Sequence, residues 1–147
     1  MKLLSTPVLP PAVDVALPLL GGLTPQQFMR RHWHKKPLLV RQAIPGFVPP
    51  LERKALFDLA GREGVESRLI AHGAQGWALK HGPFVRRSLP PLEQARWTLL
   101  VQGVDLHSNA AHELMSRFRF VPDARLDDLM ISWASPGGGV GPRLRDS

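Results

Sequence analysis

The sequence predicts an α+β fold, in which helices and strands follow one another in irregular order. Two observations carry that prediction. A marked helix start stands in "GGLTPQQFMRRHWHKKP", and several short apolar runs are bounded by glycine and proline, as strands are. These segments do not alternate at the regular spacing that a doubly wound parallel sheet requires. The count is about three helices and four or five strands. A length of 147 residues with 44% hydrophobic content suits one domain with a packed core. There is no internal repeat and no low-complexity segment.

Each element has its own signals. Thr24 caps the first helix, Pro25 takes the first helical position, and Gln27 completes a capping box. Phe28 and Trp33 belong to its buried side, and Pro37 limits it, because the residue before a proline avoids the helical region. Leu38, Leu39 and Val40 then form a continuous apolar run and predict a strand. A second helix is predicted from about Pro50 to Ala60, with Leu51, Ala55, Leu56 and Leu59 at helical spacing and Gly61 and Gly64 beyond its end. "VESRLIAHG" and "GWALKHGPF" predict two strands joined through the turn "HGAQG". A strand is predicted over Trp97 to Val104. A third helix follows, capped by Ser108 or Asn109 and closed before Pro122, and "LDDLMISWAS" is the last strand. The chain then enters the glycine-rich stretch "SPGGGVGP".

Composition excludes several classes. There are no cysteines, so disulfides, zinc–thiolate sites and iron–sulfur clusters are ruled out, which fits a cytoplasmic protein. No apolar stretch approaches the roughly 20 residues that a bilayer span needs. The opening residues carry Pro7, Pro10, Pro11, Asp14 and Pro18, make a poor signal peptide, and are expected to form an extended lead-in over 1–19. The formal charge is +7, which suits a partner rich in phosphate, such as RNA or a ribonucleoprotein. The densest cationic cluster is Arg30, Arg31, His32, His34, Lys35 and Lys36, around Trp33.

The candidate chemistry is incomplete at every position. "GGGVG" has neither the lysine of a phosphate-binding loop nor dinucleotide-loop spacing. His32 and His34, two apart on a helix, point in different directions and cannot share a metal. Asp105 and His107 share a face if they stand on a strand, and would supply two metal ligands without an evident third. His112 and Glu113 fall on a solvated helix face. Asp127 and Asp128 are adjacent and project to opposite sides of a strand, so they form no acid–base pair. No Ser–His–Asp or Cys–His grouping is present.

The order of the motifs resembles a known family. "LTPQQFMRRHWHKKPLLVRQA", "LAGREGVESRLI", "WALKHGPF", "WTLLVQGVDLH" and "RLDDLMISWASPGGGVGP" are similar, in this order, to segments of bacterial ribosomal-protein arginine hydroxylases. These are Fe(II)- and 2-oxoglutarate-dependent oxygenases of the JmjC-type cupin, or double-stranded β-helix, fold. The resemblance runs from about Leu20 to Pro142. It implies the amino-terminal portion of such a domain over 20–142 with the barrel incomplete, a divergent tail over 143–147, and a ribosomal protein as the family's substrate. It also implies that the glycine stretch leads to His-x-Asp, the first two iron ligands. In this sequence Arg143, Leu144 and Arg145 stand there, and Asp146 is a displaced carboxylate one residue late. Arginine stays protonated and offers no lone pair, and a one-residue slip on a strand reverses the face. The expectation is therefore a truncated chain with no catalytic, cofactor-binding or metal-binding residue of its own, inactive alone and self-associating through exposed sheet edges. The alternative is a non-enzymatic basic module that binds RNA or ribosomal components.

Overall fold

A computed structural model describes residues 12–141 of the chain. Most of the lead-in, and the tail with Arg143 and Asp146, lie outside the described residues. Two compact units are present. One comprises the residues up to Pro50 together with Glu113–Asp127; the other comprises Leu51–His112 and the residues from Asp128 onward.

The first unit contains helix α1, Pro25–Arg31. Its start is the predicted one. Thr24 Oγ1 accepts from the Gln27 amide at 3.1 Å, and Gln27 Oε1 accepts from the Thr24 amide at 3.0 Å. This reciprocal pair satisfies two amides that a helix start leaves without partners. The helix stops well before Pro37. A turn at 32–35 follows, in which His34 takes the left-handed conformation with φ 55°. Phe28 anchors a small aromatic group. Phe120 meets it edge-on at 5.9 Å and Trp33 at 6.3 Å. The strand expected over Leu38–Val40 is absent: the backbone there pairs with no strand of the described residues, and Leu39 is 78% exposed. An apolar run predicts a strand only where a partner edge is available to satisfy its amides and carbonyls.

The second unit is built on an antiparallel sheet in the order β2-β1-β3-β4. The strands are β1 (Ser67–Gly73), β2 (Gly76–His81), β3 (Trp97–Val101) and β4 (Ile131–Ala134). β1 and β2 form the predicted hairpin, with Gly73 opposite Gly76 across the turn. β3 is buried on both faces along its whole length, which explains why four of its five residues are apolar. It is shorter than predicted. Gly103 has φ 63° and a 3₁₀ turn occupies Val104–Leu106, so the strand stops at Val101.

Register assigns the faces. Leu69, Leu99 and Trp133 align across three strands, as do Ser67, Val101 and Ile131. This face packs beneath helix α2, Arg53–Ala60, which presents Leu56, Phe57, Leu59 and Ala60. The centre is an aromatic triad: Trp97–Trp133 at 4.9 Å, Phe57–Trp133 at 5.5 Å and Phe57–Trp97 at 6.1 Å. Its packing is tilted or edge-to-face, the arrangement that ring quadrupoles favour. The Trp97 indole N–H donates to the Pro91 carbonyl at 3.2 Å, so the buried ring leaves no polar atom unpaired. Helix α2 begins three residues later than predicted, after Glu52. Helix α3, Asn109–Ser116, has Ser108 at its start, where Ser108 Oγ accepts from the Ala111 amide at 3.3 Å.

Candidate functional site

The glycine-rich turn is fastened to the start of β3. Ser135 is buried; its amide donates to the Trp97 carbonyl at 3.0 Å, and its Oγ accepts from the Trp97 amide at 3.0 Å. The Arg96 amide donates to the Pro136 carbonyl, and the Gly138 amide to the Ser135 carbonyl. Gly138 lies so close to β3 that a Cβ there would stand 2.5 Å from the Trp97 carbonyl oxygen and 3.0 Å from Thr98 Oγ1. Glycine at 138 therefore serves backbone-on-backbone packing. Gly137 and Gly141 have φ of 71° and 74°, a region that side chains strain to enter.

The second face of the sheet adjoins this turn. Register places on it Arg68, Ile70 and His72 from β1, Trp77, Leu79 and His81 from β2, and Thr98 and Leu100 from β3. The Trp77 indole stacks on the His72 ring at 4.5 Å between centroids. The indole also lies against Gly141, where a Cβ would come within 3.0 Å of it. Trp77 thus holds the turn at the point where the chain leaves it. Thr98, on the same face, is 2% exposed, and its hydroxyl has no hydrogen-bond partner among the described residues. Arg68 reaches Gln102 through one guanidinium nitrogen, while its buried Nε has no partner among the described residues. Sequence reasoning missed Trp77, Arg68 and Thr98. The alternation within "SRLIAHG" and "GWALKH" could have grouped Arg68, His72 and Trp77 on one face; nothing local distinguishes Thr98.

The residues singled out from the sequence are positioned differently. Asp105 and His107 do not share a strand face, because Asp105 lies in the 3₁₀ turn and His107 follows it. The Asp105 carboxylate accepts from the Leu129 amide at 2.9 Å. Asp127 and Asp128 precede β4 instead of lying in it, and the Asp128 carboxylate accepts from the Gly103 amide at 2.6 Å. The Val104 amide donates to the Leu129 carbonyl at 3.0 Å. Asp105 and Asp128 therefore tie the exit of β3 to the entry of β4, and their oxygens are engaged in structural bonds. His32 stacks on Phe28 at 6.1 Å, and His34 meets Trp33 edge-on at 4.9 Å. His112 and Glu113 lie on α3.

Among the described residues, no three His, Asp or Glu side chains gather closely enough to hold a metal ion. The donor set of an iron centre is not present in residues 12–141, and no chemical step through such a centre is assigned to them.

No protein-family model matches the chain. The fold has clear relatives nonetheless: over most of its length the chain is similar to ribosomal oxygenases, and its sheet and helices match a part of their JmjC-type fold. It is 43% identical over 117 residues to the ribosomal protein uL16 3-hydroxylase of Escherichia coli K12, covering 80% of this chain and 31% of that protein. It is 34% identical over 131 residues to a probable ribosomal oxygenase of Haemophilus influenzae, covering 88% of this chain and 32% of that one. The solved structure of the Escherichia coli ribosomal oxygenase YcfD in complex with cobalt and 2-oxoglutarate superposes with a TM-score of 0.73 at 40% identity, over 81% of this chain and 32% of that one. The chain spans about a third of the length of the curated relatives it matches.

Proposed function

We propose that this chain is a portion of a cytoplasmic 2-oxoglutarate- and Fe(II)-dependent oxygenase that hydroxylates an arginine of a large-subunit ribosomal protein. The observation that carries this is the 43% identity over 117 residues to a uL16 hydroxylase, in a chain whose glycine turn is clamped on β3 and braced by Trp77. One relative binds cobalt together with 2-oxoglutarate, which supports a metal and that co-substrate for the whole protein. Within this chain the position after Pro142 is Arg143, followed by Leu144 and Arg145, where the resemblance calls for His-x-Asp. A guanidinium cannot ligate iron, and Asp146 is out of step by one residue. The chain as it stands holds neither iron nor 2-oxoglutarate and does not turn over. Its contribution is the sheet, with its helix-covered core, that positions the turn.

Repair tests this reading. Arg143→His with Arg145→Asp at the present length yields no conversion of 2-oxoglutarate to succinate with a uL16 peptide containing arginine. A facial triad needs a third ligand and leaves open positions for the other reactants, and misplacement by about 1 Å costs on the order of a hundredfold in rate. Joining the remaining two-thirds of a relative to the doubly repaired chain restores turnover. Turnover by the short double variant refutes the need for that remainder; a folded but inactive joined protein refutes the assignment.

A further inference from the structure

The basic cluster of the first unit is explained neither by the sheet nor by the glycine turn. Arg30, Arg31, Lys35, Lys36 and Arg41 place five cations within twelve residues. All five are exposed. No Asp or Glu occurs from Val15 to Leu51, so the sequence around them offers no counter-charge. The only salt bridge among the described residues is Lys54–Asp58, in the other unit. Part of the cluster has a local role. Arg30 and Arg31 stand in the last turn of α1, where cations complement the helix dipole, and Lys35 Nζ donates to the Arg30 carbonyl. Lys36 and Arg41 have no such role.

One of these cations, Lys36, lines an apolar groove of about 580 Å³, and Arg31, Lys35 and Arg41 are each within one residue in sequence of a lining residue. Phe28, Trp33, His34, Leu39 and Ile44 are among its lining residues, and Lys36 is part of its wall. Trp33 is half-buried and His34 exposed, their rings edge-to-face at 4.9 Å. Cations without counter-charge beside aromatic rings in a groove are the combination that binds single-stranded nucleic acid. The cations neutralise phosphates, and the rings receive bases, which stack on them whatever their identity. An acidic peptide would use the charges but gain nothing specific from the Trp33–His34 pair.

We propose that this groove binds single-stranded RNA, with Arg31, Lys35, Lys36 and Arg41 on the phosphates and a base against Trp33 and His34. This goes beyond the hydroxylase reading and does not depend on it.

The probe is a fluorescently labelled 12-nucleotide oligouridine, followed by anisotropy with the full 147-residue chain. Binding weakens with salt, with a log–log slope of about −3, since each neutralised phosphate on a single strand contributes about 0.7. Lys36→Glu with Arg41→Glu weakens binding at least tenfold. Lys80→Glu with Arg87→Glu, which changes the net charge equally on exposed residues of the other unit, changes it less than twofold. His34→Ala, at an exposed side chain, weakens it about fivefold, because it removes a stacking surface. Should the first double variant fail to fold, Arg31→Gln serves in its place and reduces the slope by about 0.7. The proposal is overturned by equal losses in the two double variants, by an unaltered affinity in His34→Ala, by displacement of the RNA by polyglutamate at equal charge concentration, or by no binding at 100 μM protein.

Discussion

The indole of Trp77 lies against the backbone of Gly141, close enough that a Cβ at 141 would stand 3.0 Å from it. A residue of the β1–β2 hairpin thereby fixes the end of a turn 64 positions further along the chain. Position 141 is constrained twice, by this contact and by a φ of 74°.

These two constraints are separable. Gly141→Ala is expected to destabilise by about 1–2 kcal/mol from the left-handed backbone alone, with more from contact with the indole. Trp77→Ala made in the same chain relieves the second part and leaves the first. Gly138→Ala is expected to cost more than Gly141→Ala, reaching about 3 kcal/mol, the upper end of overpacking, because its Cβ meets a β3 carbonyl oxygen at 2.5 Å rather than a movable side chain. Urea denaturation of the three single variants and the pair checks this, and an equal cost at 138 and 141 contradicts it.

Asp105 and Asp128 are expected to behave as one device. Each accepts from a backbone amide beside the other: Asp105 from Leu129 and Asp128 from Gly103. Either Asp→Ala change should cost about 1–3 kcal/mol, because each leaves a partly buried amide without its charged acceptor. A double-mutant cycle should return a coupling of at least 0.5 kcal/mol. Strict additivity would show that the two bonds act independently.

Purified without a tag, the chain is expected to bind no stoichiometric Fe(II) or Mn(II). Residues 12–141 offer no three-ligand group, and Arg143 stands at the first ligand position that the resemblance identifies. Calorimetry that finds a one-to-one site with micromolar affinity, lost in Asp146→Ala, would falsify this.

The second face of β2 presents Trp77 at 47% and Leu79 at 54% exposure on a strand that pairs on one side only among the described residues. Apolar side chains on an unpaired edge invite association. The chain is expected to form oligomers in a concentration-dependent way, and Leu79→Lys to shift them toward monomer. Sedimentation velocity reports both; a wild-type chain that is monomeric at 100 μM contradicts the expectation.

The sequence by itself determined the elements whose signals are local. Thr24, Pro25 and Gln27 set the start of α1 because a capping box is completed within four residues. Short apolar runs and the glycines between them located the β1–β2 hairpin, and the largely apolar segment from Trp97 marked β3 as a strand, without showing that both its faces are buried. Motif order also pointed to the ribosomal oxygenases, which the comparisons support over a third of their length. Tertiary structure alone decided where those signals were ambiguous. Leu38–Val40 has strand-like composition but no partner edge among the described residues, and hydrogen-bond pairing, not propensity, makes a strand. Asp105 and Asp128 are metal-ligand or catalytic types by chemistry. They became structural acceptors because the fold brings each beside an amide more than 20 residues away. The glycines of "SPGGGVGP" imply close backbone approach, yet only the packed chain shows what approaches: the Trp97 carbonyl at Gly138 and the Trp77 ring at Gly141. Local sequence encodes which conformations are cheap; the identity of a distant neighbour is set only when the sheet closes its register.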